Sequence, residues 1–171
     1  METVTRMPPA FDPAQLTPLE LGALLRKLPP RPAALLRRRL VRGEPLEACA
    51  TFYGVPPEAF STHLLREALA LTAASGGHTR SPENPDEEAA WARQLAAALE
   101  RETATVSPAL ANTVALCRRL QATGTQVETA WEAAERAEAA SPRRKREDLL
   151  RRLAVGLLLA LAAYFYWTRP P

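Results

Sequence analysis

The chain has 171 residues, 47% of them apolar and 24% charged, with a formal net charge of +3. That size and balance give room for one ordinary domain, or a small domain with appended helices, and exclude an intrinsically disordered chain. Aromatics at 6%, 7 glycines and an apolar fraction made mostly of Ala and Leu exclude a sheet-built core and predict an all-α fold punctuated by the 16 prolines.

Charge falls into three blocks. Residues 1–75 hold 9 basic and 7 acidic side chains, residues 76–140 hold 6 and 10, and residues 141–171 hold 7 and 2. An acidic middle therefore lies between two basic ends, and these blocks say more than the total. Residues 1–16 read as an N-terminal tail; the first nine contain no apolar run, so no secretory signal is expected there.

Residues 17–74 read as a helical head. A first short helix over 17–28 turns Leu21, Leu24, Leu25 and Leu28 inward, and Pro29-Pro30 breaks it. A second helix over 32–42 carries Leu35, Leu36 and Leu40 on one side and Arg37, Arg38, Arg39 and Arg42 on the other, with Gly43 ending it. Residues 45–53 form a short third helix, Gly54-Val55 a tight turn, and 57–71 a longer fourth helix. Two helices joined by a short glycine-containing turn make a helix-turn-helix, whose second member can enter a major groove. In that geometry Leu46, Ala50, Val55, Phe60 and Leu64 form the buried corner.

The order Leu28-Pro29-Pro30-Arg31, Gly43, Leu46-Glu47, Ala50, Gly54-Val55-Pro56 and Leu64 with Arg66 resembles region 4 of bacterial RNA polymerase sigma factors, the extracytoplasmic-function group above all. The likeness runs without a gap over residues 28–68 and has no counterpart of sigma region 2 beside it. It implies a four-helix head that recognises the −35 promoter element and contacts polymerase. On that reading Ser61, Thr62, His63 and Arg66 face the groove, and Arg37, Arg38 and Arg42 lie near phosphates. The departures are informative. Ser61, Thr62 and His63 stand where the family has Lys, Ser and Arg, and Glu58 sets a negative charge at the start of the recognition helix. Losing two cations from the groove face weakens the phosphate term that dominates non-specific affinity.

Residues 75–85 read as a linker and 86–140 as an acidic helical stalk. Asn84-Pro85-Asp86-Glu87 starts a helix with Trp91, Leu95, Ala98 and Leu99 on one face. Ser107-Pro108 starts a second, striped by Leu110, Val114, Cys117 and Leu120 and stopped at Gly124. A capping box of Thr125 and Glu128 then opens a third, with Val127, Trp131 and Ala134 at helical spacing.

Residues 141–152 form a basic juxtamembrane segment, with Arg143, Arg144, Lys145, Arg146, Arg151 and Arg152. Residues 153–167 follow without a charge, and from Leu149 onward the stretch reaches about 28 Å at 1.5 Å per residue, close to the hydrocarbon thickness. Tyr164, Phe165, Tyr166 and Trp167 form the far aromatic belt. The expectation is a single C-terminal transmembrane helix in the lipid bilayer of a bacterial inner membrane. The head stays in the cytoplasm and 168–171 form an external tail.

No enzyme emerges: phosphate loops, nucleophile elbows and acid–base histidine sets are missing. Cys49, Cys117, His63 and His78 are too scattered to hold a metal, no cofactor is implied, and the cysteines are expected as buried free thiols. Three functions fit. The first is a membrane-anchored transcriptional regulator binding promoter DNA, with RNA polymerase as co-partner. The second is a degenerate head that binds RNA polymerase, a sigma factor or another regulator. The third is a structural membrane adaptor.

Overall fold

Prolines and glycines set the helix boundaries. Pro fits the first turn of a helix, where its missing N–H is not needed, and Gly fits the left-handed residue that closes one. In the computed structural model, which describes residues 11–101, 103–140, 150, 153–159, 161, 162 and 167, a 3-10 turn at Pro13–Gln15 precedes α1 (Pro18–Lys27). Thr17 caps α1 in a full capping box: its hydroxyl accepts from the Glu20 amide, and the Glu20 carboxylate accepts from the Thr17 amide at 2.8 Å.

The second helix differs from its expected form. α2 (Pro30–Leu36) runs directly into a π-helical turn, Arg37–Val41, in which the Arg42 amide donates to the Arg37 carbonyl at 2.9 Å. The wider turn brings positions five apart onto one side, so Arg37 and Arg42 emerge together. α3 (Leu46–Tyr53) ends on Gly54 at φ +67, a left-handed conformation that other residues adopt at a cost. Val55 and Pro56 complete the turn into α4 (Pro57–Ala74). α5 (Pro85–Glu100) is capped by Asn84, whose side chain accepts from the Glu87 amide. A 3-10 turn at Pro108–Leu110 leads into α6 (Ala111–Ala122), and α7 (Gly124–Ala140) follows; among the described residues there is no strand.

The chain divides into two units, Met1–Trp131 and Glu132–Pro171. In the first, α4 is the central helix: α1, α2, α3, α5 and α6 all pack against it, α5 most extensively. Leu46, Ala50, Phe60 and Leu64 are buried at the α3–α4 corner, with Val55 partly buried against them. Trp91, Leu95, Leu110, Leu116, Cys117 and Leu120 belong to the same core. A head ending at 74, a linker at 75–85 and a separate stalk from 86 are therefore not what forms. α5, α6 and the start of α7 complete the head, because the apolar stripe of each finds its partner surface there. Cys49 and Cys117 are free and buried, and burial pushes the Cys117 thiol up to about 12.

Two further expectations about the middle block change. Gly124 begins α7 instead of ending α6, and it lies so close to Val41 that an added Cβ would collide with the Val41 carbonyl oxygen. The Thr125–Glu128 capping box gives way to a tertiary role, because Glu128 is held by two arginines of the π turn region. In the second unit, 153–159, 161 and 162 are helical, with Leu153, Val155, Leu157, Leu158, Leu159 and Leu161 exposed. Among the described residues no helix is long and apolar enough to cross a membrane. The basic residues 143–146, 151 and 152, Tyr164 to Tyr166 of the aromatic belt and the tail 168–171 lie outside the described residues.

Candidate nucleic-acid interface

A recognition helix must offer one full face to DNA, with donors aimed outward and cations beside the phosphates. α4 offers little of that. Phe60, Ser61, Leu64, Leu65, Ala68, Leu71 and Thr72 are buried. The stripe left to solvent is His63, Arg66, Ala70 and Ala73, with Glu58 exposed at the start of the helix.

Ser61, expected at the groove, is buried at 7% exposure, and its hydroxyl donates to the Pro57 carbonyl at 2.9 Å. It lies with Thr62 beside Ala89, Ala92 and Ala96 of α5. The Thr62 hydroxyl likewise turns back to its own helix, donating to the Glu58 carbonyl at 3.1 Å. His63 is exposed. Arg66 donates to both carboxylate oxygens of Glu88 on α5, at 2.6 and 2.8 Å. That bidentate contact, more than the accompanying charge attraction, holds the Glu88 carboxyl below the ordinary carboxylate range. Arg66 is thus the cation on the open stripe, and a carboxylate already covers it.

The three arginines expected near phosphates are engaged as well. Arg37 donates to Glu128 at 2.7 and 2.6 Å and lies over the Trp131 ring at 4.8 Å. Arg42 reaches the same carboxylate at 3.2 and 3.0 Å. Hydrogen bonds from Arg37 first, then Arg42, lower the Glu128 carboxyl. Arg38 pairs with Glu44 and stacks 3.6 Å over Phe52. Arg39 is buried, donating to the Glu44 carbonyl at 3.1 Å and lying 3.8 Å from Glu100.

Arg37 and Arg42 therefore converge on one carboxylate, while Ser61, Thr62 and Arg66 face α5. The residues that sequence reasoning missed are the acidic partners: Glu44, Glu88, Glu100 and Glu128. For Glu88, Glu100 and Glu128 the signal was present as the acidic middle block, whose charge complements the basic run 26–42; Glu44 lies outside that block, just after the run. Among the described residues no group of His, Cys, Asp or Glu is placed to hold a metal ion. No protein-family model matches the chain, and no curated protein or solved structure is significantly similar to it.

Proposed function

We propose that this chain is a membrane-anchored interaction protein whose sigma region 4-like helix-turn-helix, α3 and α4, serves protein contact in place of DNA. The observation that carries this reading is the internal use of the groove residues. Ser61 is buried, and Arg66, Arg37, Arg38 and Arg42 each hold a carboxylate of the same chain. Exchanging those carboxylates for phosphates would break ion pairs before making new ones, so little electrostatic gain remains. RNA polymerase, a sigma factor or another regulator is the partner class implied by the sigma resemblance.

The test is fluorescence anisotropy of the full chain in detergent micelles with mixed promoter duplexes, titrated from low to physiological salt. The expected result is a flat response. Duplex binding with a steep salt slope, weakened by Arg38→Glu, would restore the DNA-binding reading.

The membrane part of the proposal rests on the C-terminal unit, where the exposed leucines from Leu153 to Leu161 form a helix surface without a polar side chain. The full chain should sediment with membranes and resist an alkaline wash. Leu158→Arg adds about 3 kcal/mol to insertion near the middle of a spanning helix, and should move the protein to the soluble fraction. Unchanged fractionation of the variant would remove the anchor from the proposal.

A further inference from the structure

At the π-helical turn Arg37–Val41, local preference and the adopted backbone disagree. The five residues include neither Pro nor Gly, and Arg and Leu are good α-helix formers. Nothing in them calls for the wider register, yet the Arg42 amide donates to the Arg37 carbonyl, five residues back, at 2.9 Å. The turn also carries a defect: Arg39 is 5% exposed, and its Nε is buried without a hydrogen bond among the described residues. A conflict between local and tertiary demands marks an element that its neighbours hold in place. Single π turns within helices are rare and recur at functional sites.

The neighbour that fits the wider register is α7. Glu128 accepts from Arg37 at 2.7 and 2.6 Å and from Arg42 at 3.2 and 3.0 Å. An α-helix of 3.6 residues per turn would set positions five apart about 140° from each other, too far round for one carboxylate to serve both. Gly124 lies against the Val41 carbonyl with no room for a Cβ, and the Trp131 ring lies 4.8 Å from the Arg37 guanidinium. Yet α7 is held lightly: of its 17 residues only Gly124 and Val127 are buried. On the exit side, Glu44 takes Arg38 with its carboxylate and Arg39 with its carbonyl. Those contacts span at most six residues of chain, so they do not tie the turn to α7.

We infer that Arg37–Val41 is a two-state switch set by α7: π-helical while α7 is seated on it, α-helical once α7 lifts away. On release the Arg42 amide passes from the Arg37 carbonyl to that of Arg38. The residue set free enters the short connection from Gly43 to Pro45, where Gly43 already holds φ +68. Arg37 and Arg42 then turn apart and no longer share a carboxylate. α7 runs on past Trp131 into the second unit, which begins at Glu132, so whatever holds or displaces the far end of α7 acts on the head through this turn. The contacts of Glu128 and Gly124 favour one of the two registers, which is what coupling between two places requires. This goes beyond the protein-contact reading and is independent of which partner the head takes.

The test is NMR of the isotope-labelled full chain in detergent micelles, with fluorinated tryptophan. The coupling across the hydrogen bond of the Arg42 amide nitrogen identifies the carbonyl that accepts from it. The fluorine signal of Trp131 reports whether α7 is seated, and that of Trp91, buried in the core, reports whether the head is folded. In the unaltered chain the coupling should go to Arg37. Glu128→Gln keeps the side-chain shape and removes its charge, and Gly124→Ala adds only the Cβ for which Val41 leaves no room. Each should move the coupling to Arg38 and raise the released Trp131 signal about tenfold or more, as loss of charge-assisted hydrogen bonds does, with Trp91 unmoved. Should Gly124→Ala also displace the Trp91 signal, Glu128→Gln alone decides. A displaced Trp131 signal with the coupling still on Arg37 would overturn the inference, because the π turn would then stand without α7. So would a coupling on Arg38 while Trp131 stays in place, or neither readout moving in Glu128→Gln. Displacement of Trp91 in both variants would make these contacts supports of the core and overturn the switch.

Discussion

Gly124→Val is expected to destabilise the head by about 3 kcal/mol, at the upper end of what overpacking costs. The cause is local and rigid. An added Cβ would overlap the Val41 carbonyl oxygen and stand 3.1 Å from its carbon, and both atoms belong to backbone that cannot swing aside. Val41 closes the π turn, so relief of the clash would have to shift either that turn or the start of α7. Folded domains hold only about 5–15 kcal/mol of stability, so the loss should appear as a large drop in the urea midpoint at unchanged slope. Gly43→Ala gives the comparison: nothing lies within 4 Å of its Cβ, and its penalty comes from φ +68 alone. A midpoint for Gly124→Val equal to that of the unaltered chain would mean that α7 does not approach the π turn.

Glu128→Lys is expected to cost about 3 kcal/mol, the lower end of the range for breaking a buried pair. The Arg37 and Glu128 side chains are 19% and 22% exposed, so water screens them in part, but the substitution also places a third cation against Arg37 and Arg42. Raising salt should recover some of the loss, since repulsion is screened while the missing hydrogen bonds are not. A pH titration separates the pair from packing effects. The folded-state value of Glu128 lies below the ordinary carboxylate value of 4.5, so its stabilisation is fully present above that value. It is lost as pH falls through the lowered folded value. The stability gap between the unaltered chain and Glu128→Gln should therefore be constant from neutral pH down to about 5 and close below the ordinary carboxylate value. A gap that persists undiminished in acid would show that the ion pairs do not hold α7 to the head.

These pairs bear on function as much as on stability. A basic helix face with three consecutive arginines, Arg37 to Arg39, reads in isolation as a phosphate-binding surface. With Glu128, Glu44 and Glu100 beside it, the same face is largely neutralised before any partner arrives. Arg39 shows how far this goes. At 5% exposure it is an internal residue, and its Nε is one of two buried polar side-chain atoms, with Thr113 Oγ1, lacking a hydrogen bond among the described residues. No nucleic acid could reach it without opening the junction of α2, α3 and α5.

Local chemistry made much of the head legible from sequence alone. Thr17 with Glu20 announced the start of α1, and Pro29-Pro30 its end. Gly54 announced the turn, and Asn84 the start of α5. The buried corner of Leu46, Ala50, Phe60 and Leu64 followed from helical spacing. Each of these signals lies within a few residues of the feature it controls, because caps, breakers and amphipathic stripes act over one or two turns.

Where those helices go was decided by contacts that spacing does not encode. Glu128 satisfies a capping box by its position after Thr125, yet its carboxylate lies with Arg37 and Arg42, 91 and 86 residues away. Glu88 sits in the first turn of α5, where the helix dipole alone would account for an acid, and it meets Arg66 from 22 residues away. Ser61 and Thr62 have the residue types of a groove-facing pair, but α5 lies beside them. The sequence by itself determined an all-helical chain, the ends of α1 and α3 and the start of α5, its small-residue turn and its alternating blocks of charge. Only the tertiary structure decided that the acidic block folds back onto the basic one, since opposite charges and apolar stripes state an affinity without naming which of several partners satisfies it.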